Sequence, residues 1–206
     1  MSSIFYNKLI FTLFCFCLFF ASCKSTSSDE PKEVCFIGDS ITYLWNTKKY
    51  FPEYITFNHG IDGAKIDKLF KQDFSECEGI TTVIMIGTNN LNTAAKNDSL
   101  KSVFLEEYPQ KYIKLLNQIN ASNYVVISIL PRDHYYKENG ILNSYIKVLN
   151  DSLKNTLKNQ DFESTFVNAY PHFLKDSVIN HDYYVDGLHL TKEGYNLLSS
   201  LVQNAL

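Results

Sequence analysis

The chain has 206 residues, enough for one sizeable domain around a single core and too few for a multidomain array. With 45% hydrophobic and 20% charged residues and only 8 Gly and 5 Pro, it is neither collagen-like, nor of low complexity, nor disordered. Its 19 basic against 22 acidic residues give a net charge of -3, which leaves no basic excess for phosphates and argues against nucleic acid as a partner.

The distribution along the chain is uneven, because six of the 15 Phe and three of the 5 Cys fall in the first 23 residues. Lys8 is the one charge in residues 1–8, and residues 9–21 carry none, which is the n-region and h-region pattern of a secretory signal. That uncharged run is shorter than the ~20 residues a spanning helix requires. Phe20-Ala21-Ser22-Cys23 resembles the lipobox of bacterial lipoproteins, with Phe20 where an aliphatic residue is usual. The resemblance implies cleavage before Cys23, a diacylglyceryl group on its sulfur, and a lipid-anchored position in the bacterial cell envelope, facing the periplasm or the cell surface. Plain secretion is the alternative. Residues 1–22 are therefore expected to be a signal peptide. Residues 23–33, polar and without an apolar period, read as the acylated Cys and a flexible tether, and residues 34–206 as the folded domain.

From Val34 onward, short apolar runs alternate with helical periods, which predicts βα units feeding a parallel sheet and so an α/β fold. The first strand, 34–37, leads into Gly38-Asp39-Ser40. Cys35 lies within it and either packs as a small hydrophobe or bridges to Cys77. The second strand, 54–58, leads into His59-Gly60-Ile61-Asp62-Gly63. The third, 81–86, leads into Gly87-Thr88-Asn89-Asn90. Val83 to Ile86, like Val125 to Ile127 in the fourth strand at 124–130, are continuous rather than alternating, as expected of strands covered on both faces. Between these strands Pro109, Tyr112, Ile113, Leu116 and Ile119 have helical spacing, with Pro109 expected in the first turn.

After the fourth strand come the Ile129-Leu130-Pro131-Arg132 turn and then His134, Tyr135 and Tyr136, which read either as a pocket wall or as a solvated loop. Tyr145, Ile146, Leu149, Leu153 and Leu157 predict a further helix, and 164–168 a fifth strand. A last helix is expected to start after Thr191 as N-cap and to bury Tyr195, Leu198, Leu201, Val202 and Ala205. Just before it stands Asp186-Gly187-Leu188-His189. In a doubly wound sheet function gathers at the carboxyl ends of the strands, where these polar segments lie. A Ser on a strand-to-helix turn is exposed with its amide at a helix N-terminus, and Ser followed by Asp and then His is one chain order of hydrolytic triads.

Taken together the segments resemble the SGNH hydrolases, the GDSL esterases and lipases, over the whole domain from Val34 to the C-terminus. Gly38-Asp39-Ser40 matches their first block, Gly63 the second, Gly87-Thr88-Asn89 the third, and Asp186-Gly187-Leu188-His189 the fifth. Between the blocks, residues 83–92, 129–132 and 188–195 are most similar to platelet-activating-factor acetylhydrolase catalytic subunits and related acetyl esterases. Asn90 stands where many members carry Asp. The resemblance implies a three-layer α/β/α, flavodoxin-like fold with a five-stranded parallel sheet.

It also implies a serine esterase, with Ser40 as nucleophile, His189 as base and Asp186 orienting the imidazole. An oxyanion hole is expected from the Ser40 and Gly63 amides and the Asn89 side chain, with Asp39 and Asn90 binding substrate. The chemistry requires such a set, since a hydroxyl cleaves an ester only when a base takes its proton and donors meet the charge that develops on oxygen. The expected substrate is a short-chain, acetyl-like ester of a glycan or a lipid-like small molecule. A lysophospholipase or thioesterase, or a non-catalytic carbohydrate-binding lipoprotein, are the alternatives. No cofactor and no metal are expected. Cys and His spacings match no structural zinc motif, and Asp39, Asp186 and His189 lack the carboxylate cluster a metal phosphohydrolase uses. His59 and the His181-Asp182 pair read as surface or pocket-wall residues.

Overall fold

A computed structural model of the protein describes residues 31–94, 98–133 and 139–206. The expected signal peptide, Cys23, and His134, Tyr135 and Tyr136 lie outside the described residues. Five strands, β1 (Glu33–Gly38), β2 (Ile55–Gly60), β3 (Thr81–Met85), β4 (Asn123–Ile127) and β5 (Ser164–Val167), form one wholly parallel sheet in the order β2-β1-β3-β4-β5. The three central strands are buried on both faces, which is why their sequences run apolar without alternation. Val34, Phe36, Val83, Met85, Val125 and Ile127 point to one core, and Cys35, Ile37, Ile84, Ile86, Tyr124 and Val126 to the other.

Single-turn helices α1 (Ser40–Tyr43) and α2 (Thr47–Tyr50) follow β1, and α3 (Ile66–Leu69) follows β2. The longer helices are α4 (Thr88–Ala94), α5 (Asp98–Ile119), α6 (Asn139–Leu157) and α7 (Lys192–Gln203). The α5 and α6 helices cover one face, whereas α7 and the Trp45 and Phe51 side chains cover the other. The Thr191 hydroxyl accepts from the Gly194 amide and caps α7 as expected, and Tyr195, Leu198 and Val202 are buried, while Leu201 and Ala205 are only partly so. Pro109 departs from expectation. It stands in the middle of α5, which begins at Asp98, and so removes the bond an amide would have made to the Leu105 carbonyl.

The fourth strand stops at Ile127, three residues before its apolar run ends, because two asparagines of α6 capture the backbone beyond it. Asn150 donates to the Ile129 carbonyl at 2.9 Å and accepts from its amide at 2.8 Å, and Asn143 makes the same pair with Arg132 at 2.9 and 3.0 Å. Two helical turns advance about 10.5 Å, and three extended residues about 10 Å, so the spacings match. Cys35 and Cys77 form a disulfide, which selects between the two readings left open for Cys35. A hairpin of β6 (Leu174–Lys175) and β7 (Val178–Ile179) was not expected; its turn residues Asp176 and Ser177 both have positive φ, at 52° and 67°, the type I′ geometry usually signalled by glycine. Among the described residues no helix is long and apolar enough to cross a membrane.

Candidate active site

The order β2-β1-β3 places a topological switch at β1, where the connections leave in opposite directions and open a crevice at the carboxyl ends. Ser40 stands two residues past that end of β1. Its backbone is set by Gly38, where a Cβ would collide with Thr42 Oγ1 and the Met85 carbonyl, so only glycine lets β1 run this close to β3. The α1 turn is held from three sides. Asn58 Nδ2 donates to the carbonyls of Thr42 and Trp45 at 2.9 Å, Tyr195 donates to the Ile41 carbonyl at 2.8 Å, and Trp45 Nε1 donates to Ser199 Oγ at 2.9 Å. The last two bonds tie the Ser40 turn to α7, the helix that follows His189 in sequence. With only four residues, α1 adds little macrodipole.

Asp186 organises its own loop. Its Oδ1 accepts the amides of Leu188 at 3.0 Å and His189 at 2.8 Å, and its Oδ2 lies 2.8 Å from His189 Nδ1. Gly187, at φ 79°, permits the tight return that brings these groups together. Burial pushes the Asp186 carboxyl up, but the His189 side chain and the two amides outweigh it and hold it at about 2. With Nδ1–H donating to Asp186, His189 Nε2 is left as the acceptor, and it lies 3.0 Å from Ser40 Oγ. The structure thus brings Ser40, His189 and Asp186 into one hydrogen-bonded chain, 149 residues of sequence notwithstanding.

The other expected donors follow β2 and β3. Gly63 has φ 63°, and a Cβ on it would meet nothing within 4 Å; the glycine is required by its backbone conformation, not by crowding. Asn89 stands in the first turn of α4 and donates from Nδ2 to the Ala64 carbonyl at 3.0 Å. One N–H of that amide is so occupied, which fixes its plane and leaves the other as a donor. Asn90 Oδ1 accepts the Ile66 amide at 3.0 Å. Consecutive asparagines thereby fasten the Gly63 loop to the end of β3.

Two expected substrate-binding side chains make hydrogen bonds within the fold. Asp39 is 1% exposed and its carboxylate accepts the Ile41 amide at 3.1 Å, so it caps α1 from behind the nucleophile. Asn90 is 9% exposed and engaged with Ile66. Desolvation raises the Asp39 carboxyl to about 7, against the lowering effects of the Ile41 amide, His189 and Arg132. His59 pairs with Glu76 at 3.2 Å and His181 with Asp133 at 3.1 Å, which gives both structural partners. Beside the site lies a cavity of about 10 Å3, walled by Asp39, Ile41, Thr88 and Leu188, the sequence neighbours of Ser40, Asn89 and His189.

A wholly parallel five-stranded sheet in the order β2-β1-β3-β4-β5, flanked by helices, defines a class, the α/β proteins of flavodoxin-like topology, and the hydrogen-bonded Ser40, His189 and Asp186 lie at the switch point of that sheet. Comparison with known proteins is more specific. The GDSL-like lipase/acylhydrolase family matches residues 36–197, and the chain belongs to that family, whose members are carboxylic ester hydrolases. It is similar to platelet-activating factor acetylhydrolase IB subunit alpha1 of Rattus norvegicus, with 27% identity over 181 residues covering 82% of this chain and 72% of the relative. Among solved structures, a GDSL-like lipase of Bacteroides thetaiotaomicron superposes with a TM-score of 0.65 at 25% identity, covering 85% of this chain and 87% of the other. An acetylxylan esterase of Geobacillus stearothermophilus shares the fold at a TM-score of 0.60 and 17% identity, covering 84% and 93%.

Proposed function

We propose that the protein is a serine esterase that removes short acyl groups, acetyl foremost, from a glycan or lipid-like alcohol. The observation that carries this reading is the Ser40–His189–Asp186 chain, with contacts of 3.0 and 2.8 Å. Ser40 Oγ attacks the ester carbonyl as its proton passes to His189 Nε2, and the Asp186 carboxylate stabilises the imidazolium that forms. The negative charge on the carbonyl oxygen meets the amides of Ser40 and Gly63 and the second N–H of Asn89. His189 then returns the proton to the leaving alcohol, and a water molecule repeats the sequence to release the acid from Ser40.

The acetylhydrolase name of the 27% identical relative supports acetyl as the acyl group. The lipobox-like Phe20-Ala21-Ser22-Cys23 supports a lipid anchor on Cys23, and two or three acyl chains, at about 0.8 kcal/mol per buried methylene, hold a protein firmly on a membrane surface. A p-nitrophenyl ester series from acetate to palmitate tests the substrate reading. We expect kcat/KM highest for acetate and falling steeply beyond butyrate; a maximum at octanoate or longer overturns acetyl in favour of a lipase or thioesterase. Partition of the full-length protein into a detergent phase, lost in Cys23→Ser, is the expected result for the anchor.

A further inference from the structure

Arg132 is the only arginine in a chain that otherwise uses lysine for its positive charge, and it is completely buried. Its Nη1 donates to both the carbonyl of Thr88 at 3.1 Å and the Thr88 hydroxyl at 2.9 Å. Its own backbone is gripped on both sides by Asn143 of α6. Thr88 is the first residue of α4 and immediately precedes Asn89. A guanidinium out of water is costly unless hydrogen bonds are made to it, and both Nη1 bonds here go to one residue, whose neighbour is the expected oxyanion donor Asn89. The planar fork fixes the Thr88 main chain and side chain together, which a lysine ammonium, with freely rotating donors, cannot do. Asn89 is held from one side by Ala64 and its backbone from the other by Arg132 through Thr88.

We propose that Arg132 is a positioning residue for the reaction: through Thr88 it holds the Asn89 side-chain amide where the oxyanion forms. This rests on the esterase reading above. Arg132 need not touch substrate to act in this way, and its effect on the rate runs through Asn89.

The test is a double-mutant cycle on p-nitrophenyl acetate with Arg132→Lys, Asn89→Ala and the pair, each checked for folding by circular dichroism. A misplacement of about 1 Å costs on the order of 100-fold, so Arg132→Lys is expected to lower kcat about 10- to 100-fold with KM within a factor of about 2. In the Asn89→Ala background the same substitution is expected to change kcat less than about 3-fold, because the group it positions is gone. Thr88→Val, which removes the accepting hydroxyl, is expected to show the same dependence on Asn89, and Thr88→Ser to restore the rate; this pair carries the test if Arg132→Lys does not fold. Equal fold-losses in both backgrounds, or an unchanged kcat in the single variants, overturn the proposal. Hydrolysis that persists in Ser40→Ala overturns the esterase reading itself, so the two failures are distinct.

Discussion

At Asp186 three N–H groups converge on one carboxylate, and that convergence sets the direction of His189 before any substrate arrives. The residue on the other side of Ser40 behaves in the opposite way. Asp39 is buried and accepts the Ile41 amide, and desolvation lifts its carboxyl to about 7 against the pull of that amide, His189 and Arg132. A carboxyl that titrates near 3.9 in the unfolded chain then binds its proton more tightly in the folded one. The folded state is favoured while Asp39 is protonated, and this advantage is lost as pH rises from about 4 to about 7. Asp39→Asn keeps an oxygen for the Ile41 amide and removes the titration. Thermal unfolding measured from pH 4 to 8 is expected to show wild type losing stability relative to Asp39→Asn by a few kcal/mol across that window and no further above it. A constant difference between the two would contradict burial of an ionisable Asp39.

Helix α6 shows what a single side chain can impose on an element. Its apolar positions were legible from spacing, as were the strands on both sides of it, because burial on a helix face and on a central strand leaves a period or its absence in the sequence. Asn143 and Asn150 were not legible. In the sequence they read as polar interruptions, yet they end β4 by pairing with Ile129 and Arg132, 21 and 11 residues earlier, a contact that neither the helical nor the strand period signals. Pro109 misled for a similar reason: a first-turn proline and an interior one look alike until the preceding turns are seen to pack. Asn150→Ala leaves the buried Ile129 amide and carbonyl unpaired, and chemical denaturation is expected to register a loss of about 2 to 4 kcal/mol with the m-value unchanged. A loss below about 0.5 kcal/mol would mean that water replaces the asparagine.

At the scale of the molecule, Ser40, Asp186 and His189 meet because one segment follows β1 and the other precedes the last helix, and the block pattern named all three in advance. What the pattern did not carry was the division of labour within the blocks. Asp39 and Asn90 belong to the blocks that hold Ser40 and Asn89, but the fold turns both inward to fasten loops, and burial is a property of the packed whole. Arg132 had a compositional signal, its uniqueness among 19 basic residues, whose meaning emerged only with its bonds to Thr88. The central claim is that this crevice hydrolyses esters through Ser40. Rates of p-nitrophenyl acetate hydrolysis by wild type and Ser40→Ala, compared on folded protein, test it most directly. A fall of at least about 1000-fold in kcat is the predicted result, and equal rates for the two proteins would contradict it.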